Sequence, residues 1–580
     1  MKKKLLLFLA VAFMAGGCDD LIEPGLENLR GLDDMYEEAE YAQGFLLNGY
    51  VRIPTNGWAF NDVATDNAVS NDRNNAYQKV ATGQWTSNNN PFDEWRNSKA
   101  AIQYLNILLQ ESEKVKWAKD EKVSQMFKDR INGEAYGLRA LFMYHLLRTH
   151  AGESGSGELL GVPIVLEPEK TNSDFNKPRA TFEECMQQIY RDLDKAEELL
   201  PLDFEDATTL PPAYSGSNQA EYNRVFGQFA RQRMSKRIAM AIRAQAALLA
   251  ASPAYGSGNT TTWANAADYA GKVLQLKGGV SGLDPNGLTW YSAASVINEL
   301  AAGNNPPEIL WRSDVALSND LERQHFPPTL YGNGRLNPSQ NLVDAFPMAN
   351  GYPIMEASSG YKGTAPYDNR DPRLKLFISV NGSTGGPNNT AIITASDGTT
   401  NDALNRVETS TRTGYYLRKL LRQDVNLNPV TTNTQKHYKP RIRYTEIYLI
   451  YAEAANEAWG PTGTGAVGFS AYDVIAAIRK RAGISQPDNY LESIKADKEA
   501  MRELIRNERR LELCFEDFRF WDLRRWNANL TEEARGIRIQ NGNHEIISVE
   551  ARVYGAHMKY GPIPYSEILK FNNLSQNRGW

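Results

Sequence analysis

The chain has 580 residues, with 64 Lys plus Arg against 69 Asp plus Glu, which gives a formal net charge of −5. That mildly acidic balance excludes a general nucleic-acid binder, which needs a basic footprint. At 42% apolar and 23% charged residues the chain is neither disordered nor multi-spanning, and its 10% aromatic content can supply a binding surface.

Lys2, Lys3 and Lys4, followed by an apolar run from Leu5 to Ala15, predict a bacterial secretory signal over 1–17, too short to span a bilayer. Ala15, Gly16 and Gly17 before Cys18 resemble a lipobox, with Ala15 where a Leu is usual. Cys18 is therefore the expected lipid attachment site, and acyl chains on it hold a protein durably on a membrane. Residues 18–35 are acidic and aperiodic and read as a lipidated tether. No later segment reaches the roughly 18 apolar residues of a membrane helix. Cys185 and Cys514 are too few for a disulfide framework or a Cys-based zinc site, and are expected as buried small hydrophobes.

Residues 36–277 carry helical periodicity. Tyr36–Tyr50, Ser98–Leu109 and Ile131–Leu147 place apolar residues at 3.6 spacing, and Phe182–Leu200 stops at Pro201. Arg231–Ala251 is Ala-rich, and Trp263, Ala266, Ala267, Ala270, Val273 and Leu274 share one helix face. From 278 to 438 the texture turns to Gly, Pro, Asn, Thr and Ser clusters with short strand-like pieces such as Glu308–Trp311, a long irregular insertion. Within 439–580 helices return, as a hairpin of Tyr444–Ala455 and Ala471–Arg481 followed by a charged segment. Hairpins with alternating bulky and small positions predict a mainly α fold of tetratricopeptide-like pairs.

Gly463–Gly468 spells G-x-G-x-x-G, but a dinucleotide site needs a preceding strand and here the glycines join two helices. The six His fall in no metal-ligand spacing, and there is no G-x-S-x-G elbow or Walker loop, so no metal or cofactor is expected. Arg506–Trp526 interleaves Arg with aromatics, yet six Arg against five acids leave only +1. Pairs such as Arg509–Glu512, Glu516–Arg519 and Arg519–Asp522 at i, i+3 predict an ion-paired structural segment.

That segment resembles the C-terminal hallmark of the SusD/RagB family of surface glycan-binding lipoproteins of Bacteroidetes. Gly133–Ala140, Gly161–Ile164, Asn337–Phe346, Asn369–Arg373, Arg443–Glu457, Pro562–Pro564 and Gln576–Trp580 agree in order, so the resemblance spans the mature chain. It implies about four tetratricopeptide-like helix pairs forming a scaffold for a loop-rich, partly β ligand-binding portion. It also implies a surface-exposed, lipid-anchored outer-membrane protein that sits as a hinged lid on a SusC-like TonB-dependent transporter and hands it an oligosaccharide. Alternatives are an oligopeptide-capturing member, a surface glycoside hydrolase, or a scaffold bound only to its transporter.

Sugar capture needs flat aromatic faces against pyranose C–H groups, with amide, acid or Arg groups for hydroxyls, and each stacked ring contributes about 1 kcal/mol. Trp95, Trp117, Trp263, Trp459, Trp521 and Trp526 lie in helical or hallmark segments and are assigned to the core. Some of the loop rings Trp85, Trp290, Tyr291, Trp311 and Tyr331 are expected to form the platform.

Overall fold

A computed structural model describes residues 31–300 and 303–580; the signal segment, Cys18 and most of the tether lie outside the described residues. Eight helices form the scaffold: α1 (Ala39–Val51), α2 (Trp95–Glu111), α3 (Glu121–His150), α4 (Phe182–Leu199), α5 (Lys236–Ala251), α6 (Trp263–Gln275), α7 (Tyr444–Trp459) and α8 (Ala471–Arg481). Each packs against the next, giving four helix pairs in a stack whose order follows the chain. α9 (Lys498–Glu512) then lies on α7, and α10 (Arg519–Arg525) follows it.

Local chemistry sets these boundaries. Thr181 with Glu184, Thr262 with Asn265 and Ser470 with Asp473 form capping boxes at the starts of α4, α6 and α8. Ser235 caps α5, so that helix begins at Lys236 and not at Arg231. In α3, a Cβ at Gly133 would lie 2.7 Å from Leu200 Cγ, and one at Gly137 would lie 2.6 Å from Met234 Cγ. Both glycines of the Gly133–Ala140 motif therefore let α3 approach its neighbours closely. Gly463 and Gly465 wrap the Trp459 ring between α7 and α8, where a Cβ on Gly465 would come within 2.3 Å of the indole. The G-x-G-x-x-G run is a helix–helix turn.

The irregular insertion leaves the stack after α6 and returns at α7. Two of its short strands pair antiparallel with segments outside it: with β1 (Ala68–Ser70), β2 (Ile309–Arg312), β3 (Leu336–Pro338) and β4 (Pro440–Arg443) in chain order, β3 pairs with β1 and β2 with β4, Trp311 lying opposite Ile442. The insertion has a hydrophobic core of its own, built on Trp290, Tyr291, Phe326, Phe346, Phe377, Tyr415 and Tyr416. A third, small cluster gathers Trp85, Phe92 and Phe520, with Trp521, Tyr554 and Trp580 packed on it.

Buried ion pairs tie the insertion to the helices. Asp371 holds Arg373 at 2.6 Å, and Arg373 reaches Glu508 at 2.8 Å and Glu512 at 2.9 Å. Arg481 joins Glu512 at 2.8 Å to Glu308 at 3.4 Å, Arg443 joins Glu308 to Glu516, each at 2.7 Å, and Lys419 meets Glu516 at 2.6 Å. Burial raises the Glu512 carboxyl, but the charges of Arg481, Arg373 and Arg443 outweigh it and hold the group down at about 2. The hallmark segment is thus ion-paired as expected, with different partners: Arg509 bonds Asp522 at 2.8 Å, Arg519 bonds Asp66 at 2.8 Å, and Glu516 takes Arg443 and Lys419. The turn over 513–518 separates Glu516 from Arg519, whereas Arg509 with Glu512 on α9 and Arg519 with Asp522 on α10 keep their helical spacing and are drawn to other partners. Networks of this kind contribute little net stability but make the loss of any one partner costly.

Candidate functional site

A cleft with about 1330 Å³ of free space, including its open mouth, runs between the helical stack, the loop 54–61 and the segment 509–525. Three helices present one face each to it. Leu141, Tyr144, His145 and Arg148 follow i, i+3, i+4, i+7 on α3; Gln245, Leu248 and Leu249 follow i, i+3, i+4 on α5; Glu446 and Ile450 are one turn apart on α7. Loop 54–61, Phe92 and Glu94, β4, and Arg509 to Arg525 complete the wall.

Its rings are Trp58, Trp311, Phe518 and Trp521, with Tyr77, Phe92 and Tyr144. Trp58 is half-buried and stacks against Phe60 at 5.9 Å and Trp290 at 6.5 Å. A cation lies over each indole: Lys439 over Trp58 at 4.6 Å, Arg441 over Trp311 at 4.7 Å and Arg148 over Trp521 at 4.6 Å. These cations fix the rings and supply donors beside them.

The floor is polar. Burial pushes His145 well below the usual imidazole range, and Arg148, at 3.0 Å from its Nδ1, donates to the neutral ring. Burial lifts Glu446 to about 7, while its Oε1 accepts from Gln245 at 2.7 Å. Aromatic walls over such donors and acceptors can hold a polyhydroxylated ligand.

The five candidate platform rings fare differently. Trp85, Trp290, Tyr291 and Trp311 are between 1% and 7% exposed, and only Tyr331, at 55%, stands in solvent. Trp85 donates through Nε1 to Asn90 at 2.9 Å, meets Trp580 edge-on at 4.8 Å and lies under Arg524. Trp290 and Tyr291 contact each other at 5.4 Å inside the insertion core, and Trp290 backs Trp58. Trp311 lines the cleft but is anchored by its Nε1 bond to the Gln232 carbonyl at 2.8 Å. Tyr331 adopts φ 65° on a surface turn, accepts from Asn428 at 3.3 Å and lies away from the cleft wall. Of the five rings, Trp311 thus lines the cleft, Trp85, Trp290 and Tyr291 are packed into cores, and Tyr331 stands apart in solvent.

Sequence reasoning missed Trp58 and Trp521. Trp58 lies in the turn-rich run Pro54–Phe60, and the loop criterion applied to Trp85 selects it equally well. Trp521 was assigned to the core by its place in the hallmark, yet it is half-buried and faces the cleft. Nothing local distinguishes Tyr144, Arg148 or Glu446 from other helical positions.

The order of motifs, the four helix pairs and the ion network that joins them find their counterpart in known sequences. A profile described as the SusD family matches residues 307–580, and one described as starch-binding, associating with outer membrane, matches 39–222. The chain belongs to the SusD/RagB family. Solved structures with the same fold include a SusD-like protein of Bacteroides fragilis, at 22% identity and TM-score 0.70 over 96% of this chain and 100% of that one. A SusD-like carbohydrate binding protein of the same species gives 20% and 0.69 over 93% and 99%. Surface glycan-binding protein A of Bacteroides fluxus gives 17% and 0.59 over 93% and 99%. SusD-like protein P25 of Formosa agariphila is 28% identical over 153 residues, so this SusD/RagB chain matches 26% of that relative's length. Among the described residues no helix is long and apolar enough to cross a membrane.

Proposed function

We propose that the protein captures an oligosaccharide in the cleft and delivers it to a SusC-like TonB-dependent outer-membrane transporter, on which it sits as a hinged lid anchored by lipid on Cys18. One observation carries the capture step: the half-buried rings of Trp58 and Trp521 line the cleft beside Arg148, Lys439 and Gln245. Family membership and the glycan-binding relatives support the ligand class, and the lipobox-like Ala15–Cys18 supports the anchor. Binding in the micromolar to millimolar range suits a protein that must release its cargo.

A glycan array probed with the purified chain, beside a peptide array, tests this. Hits on glycans that weaken at least tenfold in a Trp58→Ala, Trp521→Ala double variant, and not in Tyr331→Ala, support capture in the cleft. Release of new reducing ends on long incubation would instead show a hydrolase, and hits on peptides alone an oligopeptide binder. Co-purification of a TonB-dependent barrel from native membranes tests the delivery step.

A further inference from the structure

Two charged groups in the cleft are buried and incompletely bonded. Glu446 on α7 is 2% exposed and Arg509 on α9 is 3% exposed, and both line the cleft. Glu446 Oε2 and one Arg509 Nη have no hydrogen-bond partner in the protein. Gln245 donates to Glu446 Oε1 at 2.7 Å, Arg509 Nε donates to Asp522 at 2.8 Å, and the Arg509 guanidinium lies over the Phe518 ring at 5.3 Å. Arg509 is the foremost opposite charge acting on Glu446, yet the two do not pair directly. Tyr144 on α3 opens onto the same cleft and lies in the field of both. A free acceptor and a free donor thus share one floor, and each is costly to leave unbonded.

We propose that Glu446, Arg509 and Tyr144 form a hydroxyl-reading floor that selects an uncharged sugar unit, one hydroxyl donating to Glu446 Oε2 and accepting from Arg509 Nη1. The inference rests on capture in the cleft and adds the ligand class. A carboxylate or sulfate at this position would satisfy Arg509 but meet Glu446, and an ammonium would satisfy Glu446 but meet Arg509. A hydroxyl is donor and acceptor at once and serves both.

The test arrays neutral, uronate-bearing, sulfated and amino-sugar glycans at pH 8, above the value of about 7 to which burial lifts Glu446. Wild type, Tyr144→Phe and Glu446→Leu are compared. The expected hits are neutral saccharides, with the best one weakened about three- to tenfold by Tyr144→Phe and about ten- to a hundredfold by Glu446→Leu. Should Glu446→Leu fail to fold, Tyr144→Phe removes a single oxygen and carries the comparison. Hits confined to charged glycans, or variants that bind the best neutral saccharide as tightly as wild type, overturn the hydroxyl-reading floor and leave cleft capture standing. A wild-type chain that binds no glycan overturns the capture reading itself.

Discussion

Glu512 accepts charge-assisted bonds from Arg373 at 2.9 Å and Arg481 at 2.8 Å, all three side chains being buried. Glu512→Gln keeps the shape and removes the charge, leaving two guanidiniums short of a counter-ion. Folding lowers this carboxyl from 4.5 to about 2, and at about 1.36 kcal/mol per pH unit the ionised group contributes about 3 kcal/mol at pH 7. Because the folded value is depressed, that contribution is fully present above about 4.5 and drains away as pH falls towards 2. At pH 3 about 1.4 kcal/mol of it remains. Urea unfolding of wild type and variant, followed by tryptophan fluorescence at pH 7 and pH 3, reads the difference. The gap should be about 3 kcal/mol at pH 7 and less than half that at pH 3. Glu503→Gln, at the exposed pair with Arg506, should change stability by less than about 0.5 kcal/mol at either pH. A Glu512→Gln gap that is constant with pH, or wider in acid, would refute the assignment of its stabilisation to the ionised network.

Trp85→Ala should lower stability by about 3–5 kcal/mol, through the cavity it opens beside Phe92, Phe520 and Trp580, while glycan affinity at constant folded fraction stays within twofold; a selective loss of binding would return Trp85 to the site. Gly465→Ala should lower the melting temperature, because a Cβ there meets the Trp459 ring and the residue sits at φ 52°. Glu446→Gln should be more stable than wild type at pH 8. Folding raises this carboxyl, so the penalty for ionising it appears as pH climbs above about 4.5, is complete above about 7, and the advantage of the variant should vanish by pH 4.

The helical stack was legible because each helix carries both a 3.6 period and a capping residue, as Thr181–Glu184 and Thr262–Asn265 show. The family was legible because its motifs are the joints of the ion network, from Asp371–Arg373 through Arg443 to Glu516. The rings that line the cleft were not. The Gly- and Asn-rich texture of 278–438 marks turns correctly, but it conceals a core assembled from pieces distant in sequence, such as Val63, Trp290, Leu511 and Ile537, and rings that look like loop decoration close that core. The hallmark ion pairs misled for a related reason: spacing along a helix names neighbours but not which partner wins, and Arg519, one turn from Asp522 on α10, bonds Asp66 across the fold.

The small cluster around Trp85 unites the beginning of the fold with its end. Phe520, Tyr554 and Trp580 cover residues 80–92, Asp517 accepts from the backbone N–H groups of Ala59 and Asn61, and Arg179 is bonded to Asn577. Helices α1 to α4 can gather locally, but the face that α3 turns towards the cleft stays open until residues 509–525 arrive to seal it. The cleft is walled from both ends of the chain, and it exists only once residues 54–94 and 509–525 meet.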